Sequence, residues 1–292
     1  FFPALDESGV DTIIHLGDVF DVRKGIDYWS LDWAKRVFFQ PLFERGITMH
    51  TLVGNHDIFY RNSLRLNAPA LNLTEFTNIV TYSEPQTAKV KGVDVFMIPW
   101  VCEENADAFI EARDASKAKV AVGHLEVAGF YANSTYQVQH GLGIEQFSQF
   151  EQVFSGHYHK KNGSGNVLYL GNPYQMYWND EGDTRGFHFY DLKSGELDFV
   201  ANPNVLFHKI FYNEDKKKLI NHTKAKNTYV KLIVEGKSTP ALLNTLIDKL
   251  YKVGIHDLKV IENTLLTVDD DVEVEAEAVS YTHLRAHETI DD

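Results

Sequence analysis

Residues 51–62 read TLVGNHDIFYRN: a β-branched, apolar run that ends abruptly in a glycine, an amide, an imidazole and a carboxylate. Such polar groups suit a hydrophobic core poorly, so the run must carry them to a place outside it. Three further stretches end in the same way. DTIIHLGDVFD closes at Gly17-Asp18, AKVAVGHLE at Gly123-His124, and EQVFSGHYH at Gly156-His157-Tyr158-His159. Each apolar run reads as a buried strand, and open α/β sheets gather their ligands beyond the carboxyl ends of strands. The pattern therefore predicts one Asp, one Asn and several His converging on a single crevice.

The chain has 292 residues, 44% of them hydrophobic, which is enough for one large domain or for a large and a small one. It contains no run of 18 uncharged apolar residues, so no membrane span and no membrane partner are expected. No signal peptide is recognised, and a cytoplasmic location is expected; the sequons at Asn72, Asn133, Asn162 and Asn221 then carry no meaning. The single cysteine, Cys102, excludes an intrachain disulfide and fits a reducing compartment. A net charge of −13 argues against a nucleic-acid partner, yet its distribution is uneven. Residues 205–260 carry 11 Lys against five Asp or Glu, a local +6 that leaves −19 for the rest. A basic module on an acidic body is compatible with a polyanionic substrate.

Apolar strands alternate with helix-like stretches such as SLDWAKRVFFQPLFERG (30–46), an α/β pattern. The aromatic stretch from residue 171 to 199 reads as β-hairpins that complete the sheets. A first domain over 1–204 is expected to carry the chemistry, then a small basic α+β cap over 205–265 to bind DNA, with strand 228–234, helix 240–254 and strand 256–262. Leu242, Leu243, Leu246, Ile247 and Leu250 share one face of that helix. Residues 266–278 read as an acidic linker, and 279–292 as a non-native tail whose His283 and His287 are set aside.

Phosphate-ester hydrolysis needs a nucleophile at neutral pH and positive charge around the phosphoryl oxygens, and two divalent ions about 3.5–4 Å apart supply both. Asp18, Asn55, His124, His157 and His159 are a suitable ligand set, and mixed N/O ligation without thiolate favours Mn2+, Fe2+ or Zn2+ over Ca2+. Mn2+ is the expected cofactor, with Mg2+ an alternative.

The ordered motifs GDVFD, GNHD, GH and GHYH resemble those of the calcineurin-like metallophosphoesterases. With IPWVCEEN, VGHLEVAGFY and GNPYQMYWNDEGDTRGF, they are similar to SbcD-like recombination nucleases, especially phage recombination endonuclease subunits, over roughly residues 5–275. The resemblance implies a four-layer αββα β-sandwich flanked by helices, and a two-metal DNA exonuclease/endonuclease partnered with an SMC-like, SbcC-type ATPase. It also implies a role in double-strand-break repair, a homodimer, and a bacterial host cytoplasm if the gene is phage-borne. Asp18 would bridge both ions. Asn55, His124 and His157 would complete one sphere, and His159 would belong to the other. His56 would be the catalytic histidine at the scissile phosphate, and Asp57 would orient it.

The family's opening D-x-H motif has no counterpart before Asp18, so an N-terminally truncated fold, an exposed sheet edge and impaired activity are expected of this chain. Arg23, Lys24, Arg61, Arg65, Lys216, Lys217 and Lys218 are candidates to grip DNA phosphates, against the plainer reading of solvated surface charge. Asp21 reads as a helix N-cap, His15 as a strand residue, and Tyr158 as either a base-stacking or a packing ring. A metallophosphatase, a small-molecule phosphodiesterase and a non-catalytic scaffold are the competing functions.

Overall fold

The four strand-to-glycine runs fold into two sheets, two runs in each. The structure, a computed structural model, describes residues 1–132, 136–214, 222–236 and 238–263. Helix α1 (Phe2–Ser8) leads into strand β1 (Thr12–His15), then helices α2 (Tyr28–Ala34) and α3 (Gln40–Glu44), and strand β2 (Thr48–Leu52). A hairpin of β3 (Ile58–Tyr60) and β4 (Ser63–Asn67) and helix α4 (Ala68–Asn72) precede β5 (Ile79–Tyr82). The first sheet runs β1-β2-β5, all parallel, with β1 at its edge.

The chain then passes through β6 (Gln86–Val90), β7 (Val93–Ile98), helix α5 (Ala106–Ala115), β8 (Val120–Gly123), β9 (Gln152–Ser155), β10 (Asn162–Ser164) and β11 (Val167–Tyr169). These strands form a second sheet in the order β10-β11-β9-β8-β7-β6, parallel through β7, β8, β9 and β11.

Strand alternation explains why the runs read as continuously apolar. Val95, Met97, Val122 and Phe154 pack with Leu52 and Tyr82 in the core between the sheets. Their strand neighbours Phe96, Ala121 and Val153 instead pack with Phe109 and Phe147 on the outer side. On the other sheet Met49 packs outward with Leu5, Phe39 and Leu42 of the helical layer. Helix, sheet, sheet and helix make the four layers that the sequence implied.

Helices α2 and α3 are continuous through a π-helical turn at Lys35–Phe39, so the expected helix spans residues 28–44. Its N-cap is Asp27, whose carboxylate accepts the Ser30 N–H at 2.9 Å; Asp21 lies well upstream and caps nothing. The last strands of this unit, β12 (Gly186–Tyr190) and β13 (Leu197–Ala201), form their own antiparallel pair beside the inter-sheet core, through Tyr190 and Leu197, rather than extending either sheet.

The chain divides into two units: Phe1–Pro173 with Thr184–Asn202, and Tyr174–Asp183 with the residues from Pro203 onward. Residues 174–183 thus leave the first domain, although the sequence assigned them to it. Gln175 Oε1 accepts the N–H groups of Leu206 and Phe207 at 2.9 and 3.0 Å, and Trp178 packs on Phe207 at 4.8 Å, which ties this segment to the second unit.

That unit holds β14 (Phe207–Tyr212), β15 (Tyr229–Glu235), helix α6 (Pro240–Val253) and β16 (Asp257–Asn263) in a parallel sheet ordered β14-β15-β16. Helix α6 buries Leu243, Leu246 and Leu250 and ends at Gly254 with φ 89°. Leu242 falls one position off that stripe and is exposed. Lys216, Lys217, Lys218, the acidic stretch 266–278 and the tail 279–292 lie outside the described residues. Among the described residues no helix is long and apolar enough to cross a membrane.

Candidate metal centre

Four loops leave the carboxyl ends of parallel strands, two from each sheet: Gly17-Asp18 after β1, Gly54-Asn55 after β2, His124 after β8, and Gly156-His157 after β9. The glycines are needed because the loops touch. A Cβ on Gly17 would run into the His124 ring, and one on Gly54 into the Asp18 carboxylate. Asp18 and His157 themselves take left-handed backbone, at φ 55° and 78°. Non-glycine residues there cost on the order of 1 kcal/mol or more, a strain that collects at functional sites.

These loops bring Asp18, His124 and His157 together, with one ligand atom from each within 4.8 Å of the others. His124 Nε2 lies 3.1 Å from Asp18 Oδ2 and 2.9 Å from Asn55 Oδ1; His157 Nδ1 lies 2.9 Å from the same Asn55 oxygen. The Nδ1 of His124 sits 2.7 Å from the Leu16 carbonyl and donates to it, so a neutral ring presents a bare lone pair at Nε2. That lone pair meets two oxygens that are themselves acceptors. An imidazole lone pair facing a carboxylate and an amide oxygen fits a divalent cation held by nitrogen and oxygen.

Residues 1–161 match the calcineurin-like phosphoesterase family. The chain belongs to that family. Exonuclease subunit 1 of Enterobacteria phage T4 is 34% identical to this phosphoesterase over 274 residues, which cover 94% of the chain and 79% of that protein.

The electrostatics of the phosphoesterase centre follow from its burial. Asp18 would be raised by desolvation, but His124 beside it and the N–H of His56, 2.8 Å from Oδ1, outweigh that and hold its pKa at about 2. Burial opposes a charge on His124, yet the Asp18 carboxylate prevails and raises it, so a proton can stand where a cation would. Burial keeps His157 below its ordinary range, hence a neutral ligand. His15, at the end of β1, is pushed down to about 4 by burial and stands 3.5 Å from the Thr51 hydroxyl.

The residues around the cluster depart from expectation in several places. The Asp57 carboxylate is not bonded to the His56 ring. It is buried and accepts the N–H groups of Val19 at 2.9 Å, Phe20 at 3.3 Å and Gly54 at 2.9 Å, and so staples the Asp18 loop to the Asn55 loop. Burial raises its pKa to about 7 against the pull of those N–H groups. The His56 ring is held instead by the backbone carbonyl of Asp21, 2.5 Å from Nδ1.

Arg23, half-buried, donates to the Asn55 carbonyl at 3.0 Å and braces that loop. Lys24 lies 5.8 Å over the Phe59 ring, while Arg61 and Arg65 are exposed. Tyr158 is buried, stacked on Tyr169 at 4.5 Å, which decides for packing. The His159 imidazole is not in the three-residue cluster; its backbone carbonyl accepts from the Arg185 guanidinium, which also reaches the Asn172 side chain.

Two neighbours went unnoticed in the sequence. Glu126 places Oε1 3.8 Å from His157 Nε2 and Oε2 3.5 Å from His140 Nδ1, a carboxylate behind a ligand histidine. His157 keeps the Glu126 carboxyl below its ordinary range. Trp100 walls the cluster, its ring 5.1 Å from His157 and 6.1 Å from His124. The proximity of Glu126 to GH in GHLE, and of Trp100 to the end of β7, were the available signals.

Proposed function

We propose that this phosphoesterase is a nuclease subunit that hydrolyses DNA phosphodiester bonds, in recombination and double-strand-break repair beside an SMC-like ATPase. The observation that carries the reading is the convergence of Asp18, Asn55, His124 and His157 on one point, with His56 anchored at its border. Divalent ions bound there, Mn2+ foremost, would supply positive charge to the phosphoryl oxygens and a hydroxide nucleophile at neutral pH. The similarity to a phage exonuclease subunit favours DNA as the substrate.

The protein's own groups do the rest. Asp18, ionised far below neutrality, and neutral His157 keep their ligand atoms available across the working pH range. His56 commits its Nδ1–H to the Asp21 carbonyl, which leaves Nε2 free to face the phosphate, where the imidazolium form would donate its Nε2 proton to the departing oxygen. Asp57 keeps His56 in place at one remove, by fixing the backbone on both sides.

A second ion is proposed to rest on Asp18 and His159. A homodimer is proposed from the family resemblance, and on helix α2 the Trp29–Trp33 stack at 6.3 Å and the 91% exposed Tyr28 offer an aromatic surface for a partner.

The test is degradation of linear duplex DNA in Mn2+, with Asp18→Ala and a phosphomonoester substrate alongside. DNA loss that depends on Asp18, with little monoester turnover, is expected. Monoester turnover without DNA cleavage would replace the nuclease by a phosphatase. Silence on both, with metal bound, would leave a scaffold.

A further inference from the structure

The parallel sheet of the second unit has one face packed under α6, through Ile210, Val230, Leu232, Val234, Leu258 and Val260. Its other face is open in part, with Trp178 and Glu181 lying against one side of it, and the register sorts that face into rows. Phe207, Tyr229 and Asp257 stand side by side; then Lys209, Lys231 and Lys259; then Phe211, Ile233 and Ile261. Three lysines directly opposite one another repel, because neighbouring strands are only about 4.8 Å apart. Burial, with Lys259 and Lys209 on either side, lowers the pKa of Lys231 below the usual lysine range.

Aromatic rings flank the row on both sides. Tyr229 is 44% exposed and Phe211 53%, and strand spacing and rise place them about 14 Å apart across the lysines. Trp178 extends the aromatic side, against Phe207 at 4.8 Å and beneath the Lys231 ammonium at 4.2 Å. Acidic groups border the row: Glu181 lies 3.6 Å from Lys209, Asp257 opens β16, and Glu235 closes β15. Lys231 and Lys259 thus remain for another anion.

We propose that this open face is a platform for single-stranded nucleic acid, on which Lys231 and Lys259 meet backbone phosphates while Tyr229 and Phe211 stack on bases to either side. A flat sheet can stack only bases that have been splayed from a duplex, so the ligand is a single strand. Rings and ammonium groups in alternating rows match the alternation of bases and phosphates along it. The proposal deepens the nuclease reading, on which it rests for the choice of polymer.

The experiment is anisotropy of a fluorescent oligothymidylate of about 12 nucleotides, a length within single-fold site sizes, bound by the full chain in EDTA so that nothing is cut. Tyr229→Ala with Phe211→Ala should weaken binding roughly tenfold or more, with duplex binding less affected. Lys259→Gln should reduce the slope of log affinity against log salt by about 0.7. A 5-iodouracil oligomer should crosslink to residues 205–236 in the unmutated chain, which needs no variant to fold.

Unchanged affinity in both variants, or crosslinks confined to other segments, would overturn the platform. So would an equal loss of duplex binding, or pull-down of a protein partner through this face with no single-strand affinity. Single-strand binding that persists in a chain unable to cut DNA would remove the nuclease reading and leave the platform standing. Cleavage with unaltered binding in the variants would do the reverse.

Discussion

The two units use strands in opposite ways. In the first, the strands pack a core between the two sheets and another outside them, and the polar groups of the cluster come just after strands stop: Asp18, Asn55, His124 and His157 all lie within three residues of the last residue of a strand. In the second, a sheet with one open face carries its polar groups along the strands, as the row Lys209, Lys231 and Lys259. Chemistry that needs atoms fixed to a fraction of an ångström sits where loops from two sheets lock together. Recognition that needs area sits where a sheet lies open. The difference teaches that one chain can separate rigidity from reach by what it does with strand ends and strand faces.

The sharpest way to break the comparison is Asp18→Ala. It removes a carboxylate central to the cluster, so metal affinity measured by calorimetry and Mn2+-dependent cleavage should both fall by on the order of 10³-fold or more. Binding of single-stranded DNA in EDTA should survive, since the row of lysines belongs to the other unit. Loss of both together would mean that the division of labour is wrong.

Next come the loop contacts. Asp57→Ala leaves three backbone N–H groups of Val19, Phe20 and Gly54 without their acceptor, and a loss of about 3 kcal/mol in unfolding free energy is expected. Gly54→Ala should cost a comparable amount, because its new methyl group meets the Asp18 carboxylate. Denaturant midpoints measure both, and an Asp57→Ala chain as stable as the parent would dispose of the staple.

A smaller effect tests the support behind the ligands. Glu126→Gln should weaken divalent-metal affinity roughly tenfold by loosening His157, while leaving the melting temperature of the metal-free chain nearly unchanged. An unaltered affinity would make Glu126 a bystander.

The smallest effect is a pH dependence in the β12–β13 pair. Burial, with Lys161 nearby, pushes His188 down to about 4, and its Nε2 has no hydrogen-bond partner. Below about 6.5 the unfolded chain takes up a proton that the folded chain refuses, so stability contributed at neutral pH is lost as pH falls from about 6.5 to 4. His188→Phe should flatten the melting temperature over that window, and an equal slope in both proteins would refute the assignment.

Much of this was legible in the residues. The strand runs were plain because they are apolar on both faces, and the Gly-ligand junctions were plain because only glycine permits loops to touch. The role of Asp57 was not, since its partners Val19 and Phe20 lie 38 and 37 positions away and offer only backbone N–H groups, which no side-chain pattern reveals. Position beside His56 suggested a partnership that geometry gave to the Asp21 carbonyl. The lysine row was equally hidden: Lys209, Lys231 and Lys259 are scattered along the chain and become neighbours only through strand register. Residues 174–183 misled because a segment that joins a later unit ahead of the rest of it leaves no mark in composition.

The staple at Asp57 also has a consequence in time. A carboxylate that holds Val19, Phe20 and Gly54 at once makes two distant loops a single opening unit. Their amide hydrogens can reach solvent only when that carboxylate lets go, so their exchange with deuterium should share one protection factor. Breathing at either loop would then displace Asp18 and Asn55 in concert, and the centre would open and close as a whole.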